Sequence, residues 1–382
     1  MASRYLVSGG SSTAWSNTSN WSATDGGASG ASAPTASDDV YINSNSGNAP
    51  IALTSGACLS LTVSGTYTGT ISGSGSFTSS GSITFIAGIN YTATSTIIFN
   101  NTATITSAGK TISALTLQTN GTTYTFADDL TISGTYTNTG NNLVLLGSTI
   151  YLGGNMVLSN GTSASSTTKF VCNGTTTQSG NGVLSNDLEI AGTFTGGTTL
   201  AYRTGTLKYT SGTFTPPTTL LLSGSCTLDT SSVTWTNITA NAAMTATLAS
   251  ALNFSTSGTF TLPAFNFTFV GAYNVTGGAL TNTALTVGRT NTFVSGQTYS
   301  FTTISLSGGG TSIPMTLKSS TTSSAAYING SAINSQTASY VIATDIDSSG
   351  GQTIRDRNIR PQDLTRTVNW NCDSAMFYEF FN

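Results

Sequence analysis

The chain has 382 residues and a formal charge of −3, and only 7% of it is charged, against roughly a quarter of an ordinary globular domain. Ser and Thr fill about a third of the positions and Gly adds 42 more, while Pro, at 7, is too scarce for a collagen-like or mucin-like chain. An ordinary soluble enzyme is excluded by the charge, and disorder by the 37% hydrophobic content with 14 Tyr and 17 Phe.

In chain order, residues 1–52 read as a small amino-terminal module with Trp15 and Trp21 in a Gly/Ser/Ala-rich setting. Ala33-Pro34-Thr35 and Asp38-Asp39 then precede a strand at 40–42. The opening lacks the apolar core of a signal peptide, and no window reaches the 18 or so apolar residues of a membrane helix. The expectation is a chain made in its host's cytoplasm without a signal peptide, with no membrane insertion.

From 53 to 340 one phrase recurs: LTVSGTYT at 61–68, LTISGTYT at 130–137 and LEIAGTFT at 188–195. Looser copies start at Leu207, Leu252 and Leu285. Each alternates apolar and small polar residues, the period-two pattern of a strand, and breaks at a Gly. Further short strands are expected at 83–85, 124–126, 143–145, 150–152, 220–222 and 265–269, separated by Gly, Asn and Ser. Strands this short need neighbours, and a solenoid with coils of roughly 20 to 30 residues supplies them. The predicted fold is all-β: a single-stranded right-handed parallel β-helix (β-solenoid) with small N-terminal and C-terminal capping modules. Inward Leu, Ile, Val and Phe stack into columns, and outward Thr, Ser and Asn avoid the like-charge repulsion that stacked charges would suffer.

Residues 341–382 concentrate charge, with Arg355, Arg357, Arg360 and Arg366, then Trp370, and end in the aromatic run containing Phe377, Phe380 and Phe381. Both ends of a solenoid expose strand edges. Trp15, Trp21, Asp38 and Asp39 at one end, and Arg355, Arg357, Arg360, Trp370, Phe377, Phe380 and Phe381 at the other, are therefore the candidate docking and assembly residues, or the residues that close the ends.

Catalytic signals are few. Histidine is absent, which removes the usual Ser-His and Cys-His mechanisms and the commonest zinc ligand. Cys58, Cys172, Cys226 and Cys372 lie far apart and read as free, mostly packed thiols. Basic residues form no stripe for phosphates, so nucleic acid is not an expected partner. Gly109-Lys110-Thr111 imitates a phosphate loop, but position 104 is Thr where the motif needs Gly. A polysaccharide-cleaving site would need paired carboxylates; Asp187, Glu189, Asp128, Asp129 and Asp229 are the pool, and Asp128, Asp129 and Asp187 equally serve as turn caps. Aromatics could stack on sugars, yet Tyr67, Tyr136 and Phe194 occupy the inward phase and read as core. Asp345, Asp347, Ser349 and Asp356, with Gly350 between, have the spacing of a calcium loop without its flanking helices. The same run also makes a plain β-turn.

Arg4-Tyr5, Trp15, Asn20-Trp21-Ser22, Pro34 and Asp38-Asp39-Val40-Tyr41, in that order, resemble an amino-terminal module of tailed-bacteriophage virion proteins. The stretch 345–353 and Asn369-Trp370-Asn371 extend the likeness, while Leu6, where Trp is expected, and 355–366 depart from it. The resemblance implies a structural protein on the virion exterior without enzyme activity. The family does not fix which; the reading taken is a tail fibre or spike component attaching to host surface glycans, and the alternative is a capsid decoration protein in contact with the coat. It further implies other virion proteins as partners and a homo-oligomer, with a trimer the common form. A bacterial adhesin should carry an export signal, and a depolymerase an acidic cluster on one flank.

Overall fold

A computed structural model describes residues 2–9, 12–333, 336–356 and 364–372. The chain divides into two units, Met1–Thr195 with Ser211–Thr213, and Gly196–Thr210 with Phe214–Asn382. Each is a stack of parallel β-coils, as the alternation predicts, and the chain is a parallel β-helix. Among the described residues no helix is long and apolar enough to cross a membrane.

In the first unit the strands of successive coils stack into parallel strips, three of which carry most of the core. Strip one runs Ala2–Leu6, Asp38–Ile42, Ser60–Val63, Ile83–Thr84, Ala103–Thr106, Thr123–Phe126 and Val144–Gly147. Strip two holds Leu130–Ile132, Ile150–Leu152, Phe170–Cys172 and Leu188–Ile190, and strip three holds Thr96–Phe99, Ala114–Leu117, Tyr136–Asn138 and Met156–Leu158. Side chains in register form buried columns: Val40, Leu61 and Ile83 on strip one, Leu130, Ile150, Phe170 and Leu188 on strip two, Ile97, Leu115, Tyr136 and Met156 on strip three. Burying each such side chain stabilises the coil by roughly 1.5–3 kcal/mol. Period-two alternation turns the intervening Thr outward.

The recurring phrase is a strand and the corner after it, reaching the next strand in the copies at 130–137 and 188–195. At 61–68 it starts on strip one, whereas at 130–137 and 188–195 it starts on strip two. Its Gly marks a corner, and at Gly134 and Gly192 the coils touch there backbone to backbone. A side-chain carbon on Gly174 would collide with the backbone of Gly153, one on Gly192 with Gly174, and one on Gly212 with Gly192. The column of glycines is thus required by the spacing of the coils.

In the second unit one strip runs Thr206–Tyr209, Cys226–Asp229, Met244–Leu248, Phe267–Val270, Arg289–Phe293, Met315–Ser319, Val341–Thr344 and Leu364–Thr365. The eleven-residue strand Leu252–Leu262 pairs with both Val275–Thr276 and Ala279–Asn282, after which two separate strips continue. Coils lengthen here: Arg289 pairs with Met315, Tyr299 with Ile328 and Ile304 with Gln336. The added residues fall in corners, and the core holds Phe260, Phe267, Phe269, Phe293 and Tyr299. Phe267 and Phe269 meet edge to face at 4.9 Å, and Phe293 and Tyr299 at 5.0 Å.

Candidate functional site

The amino-terminal candidates close the end of the first unit. Strand Ala2–Leu6 lies parallel to Asp38–Ile42, and Trp21–Ser22 caps it antiparallel. Trp21 is fully buried and its Nε1–H donates to Trp15 O at 2.8 Å. The Trp15 ring stands 4.8 Å from Phe77 and 4.9 Å from Trp21, over Gly56, where a side-chain carbon would collide with it. The two indoles are therefore the lid of the core. Asp38 is buried and accepts from Thr35 N at 2.9 Å and Thr35 Oγ1 at 2.8 Å. Burial pushes its carboxyl up, but the Thr35 hydrogen bonds, Arg4 and the Ala2 amide outweigh this and hold it below the usual carboxylate range. Asp39, half-buried on the outer side of the same strand, accepts from Ser60 Oγ.

At the other end, Arg366 holds Asp345 with two parallel bonds, Nε to Oδ1 at 2.6 Å and Nη2 to Oδ2 at 2.8 Å. That guanidinium keeps the Asp345 carboxyl below the usual range against the opposing effect of burial, with help from the Ser323 amide. Trp370 Nε1–H donates to the buried Ser348 Oγ at 2.9 Å. Arg355 is exposed on Ile354–Asp356. Arg357, Arg360, Phe377, Phe380 and Phe381 lie outside the described residues, as does the side chain of Asp356. In the loop with calcium spacing, both Asp345 oxygens face Arg366, and Asp347 Oδ1 accepts from Ser349 N at 2.7 Å in a local turn. Among the described residues no group of three or more His, Cys, Asp or Glu side chains could hold a metal ion.

The other motif residues hold coils together. Asp128 accepts from Ser107 N at 2.7 Å and from Ala108 N, and Asp129 from Thr149 N at 3.0 Å. Glu189 pairs with Lys169 at 2.5 Å. Lys110 of the imitation phosphate loop donates to Ala87 O at 2.7 Å and Ile89 O at 2.8 Å, latching the coil below. Cys58, Cys172 and Cys226 are free and buried, and burial pushes each thiol up to about 12, which leaves them inert.

Sequence reasoning missed one surface. Every large apolar side chain exposed among the described residues belongs to the second unit, and the corner leading into its first strip carries two of them, Phe265 and Val287, 44% and 55% exposed. The strand expected at 265–269 begins at Phe267, because Pro263, with no N–H to offer the ladder, ends the preceding strand at Leu262 and turns the next residues into a corner. That proline was the available signal. Arg289, one coil on, donates from Nε to Ala264 O and from Nη1 to Gly288 O at 3.3 Å, and its guanidinium carbon stands 5.5 Å from the centre of the Phe265 ring. The Asn266 side chain accepts from Thr290 N at 3.1 Å and ties the two corners together. An exposed ring held by a planar cation at a corner flanked by hydroxyl-bearing strands is a surface on which a flat apolar face with polar edges can rest.

No protein-family model, no curated protein and no solved structure matches this chain.

Proposed function

We propose that this chain is an attachment protein of the fibre or spike class, carried on the exterior of a tailed-phage virion, which holds host surface glycans at the Phe265 corner and performs no catalysis. A β-solenoid is typical of fibre, spike and adhesin-like proteins, and stacked coils offer long, repetitive surfaces for recognition. The observation that carries the reading is the exposed Phe265 ring braced by Arg289. A pyranose presents a C–H face that rests on an aromatic ring and hydroxyls that bond to Thr and Asn at its edge. Support for a non-catalytic role comes from Asp128, Asp129, Glu189 and Asp345, each committed to a turn or an ion pair. The opening module's resemblance to phage virion proteins supports the location.

The test is gold-labelled antibody against the chain on intact particles. Label confined to the tail is the expected result. Label spread over the head replaces attachment by capsid decoration, and absence of label from particles overturns the virion reading.

A further inference from the structure

Charge along the second unit is distributed unevenly. Between Asp229 and Asp345 the sequence contains no Asp or Glu, and its only basic residues are Arg289 and Lys318. The fold brings these two cations onto adjacent strands: Arg289–Phe293 pairs with Met315–Ser319, Arg289 opposite Met315 and Thr292 opposite Lys318. Lys318 is exposed. Arg289 uses Nε and one Nη1 hydrogen to fix the corner, and among the described residues no carboxylate pairs with it and no protein acceptor takes its Nη2 end. A chain with a net charge of −3 therefore carries a local positive field beside its exposed ring, with guanidinium hydrogens left for a ligand.

We infer that the Phe265 corner takes a carboxylated sugar, with the sugar face on the Phe265 ring, the carboxylate on the Nη2 edge of Arg289 and Lys318 adding longer-range attraction. The inference rests on the glycan-attachment reading above and narrows it to acidic saccharides. A guanidinium prefers a planar carboxylate, to which it offers two parallel donors, whereas a neutral sugar would leave that end of Arg289 serving only water.

The experiment is saturation-transfer NMR on the full chain with sialyllactose and tri-galacturonic acid as acidic probes, and lactose and maltotriose as neutral ones. The expected result is transfer to an acidic probe that weakens as salt is raised. Arg289→Gln should weaken it about tenfold or more. Phe265→Ala should also weaken it, and Lys318→Gln less, with unchanged circular dichroism in all three variants. Equal binding of neutral and acidic probes, or acidic binding that Arg289→Gln leaves intact, overturns the inference and spares the glycan reading. Binding of no saccharide overturns both.

Discussion

The two units follow the same rule of alternation and put its freedom to different use. In the first, ladder partners recur about every twenty residues, as from Ile150 to Phe170, and a glycine column fixes one corner. In the second the interval stretches, as from Ile304 to Gln336, and the extra residues stay in the corners. Inward columns fix what a strand holds, whereas a corner faces solvent and tolerates insertion at little cost in loop entropy. Among the described residues the exposed large apolar side chains accordingly gather in the second unit, where coil length is loosest.

The most disruptive way to break this contrast is at the lid of the first unit. Trp21→Ala should cost about 3–5 kcal/mol, whereas Phe265→Ala, on an exposed corner, should stay within about 0.5 kcal/mol. Urea unfolding of the two variants reads the difference directly, and equal losses would dissolve the division between scaffold and contact surface. Gly174→Ala comes next. Its new carbon meets the Gly153 backbone, so overpacking should lower stability by roughly 1–3 kcal/mol, seen as a lower melting temperature. A neutral outcome would mean that the coils can spread at that corner.

Acid sharpens the comparison, because each unit has a carboxylate held below its usual range, Asp38 by Thr35 and Asp345 by Arg366. A lowered carboxylate pKa stabilises the fold above the unfolded value of about 4 and is lost as pH falls through the folded value. Hydrogen exchange at the Thr35 and Ser323 amides, which donate to these carboxylates, should therefore gain speed relative to neighbouring amides below that pH. Arg366→Met should remove most of the acid dependence at Ser323 and leave Thr35 unchanged. A modest effect of the opposite sign is expected inside the second unit. Asn291 is fully buried between Phe267 and Leu317 in the ladder, with neither amide atom partnered among the described residues. Asn291→Leu should raise stability by about 1 kcal/mol, and a loss would mean that the amide has a partner such as bound water.

Much of the fold was legible because alternation is local: Leu61 and Val63, or Leu188 and Ile190, announce a strand and its buried side without reference to anything else. Which strip a strand joins was not legible, since the same strand-and-corner phrase fits more than one corner of a coil, and the copies at 61–68 and 130–137 use different ones. Tyr67, Tyr136 and Phe194 are buried as their phase requires. Phe265 shares the phase of Phe267 and Phe269 and escapes the core only because Pro263 ends the strand before it. Asp345 and Asp347 have metal-like spacing, but their bonds to Arg366 and to the Ser349 amide depend on the turn and on a residue one coil further on.

The most direct test of the account is hydrogen exchange of the full chain with and without the saccharide that gives the strongest saturation transfer. Protection confined to residues 263–266 and 285–290 of the second unit, with the coils of the first unit unchanged, is the predicted result. Protection centred on a flank of the first unit, or no protection anywhere, would contradict it.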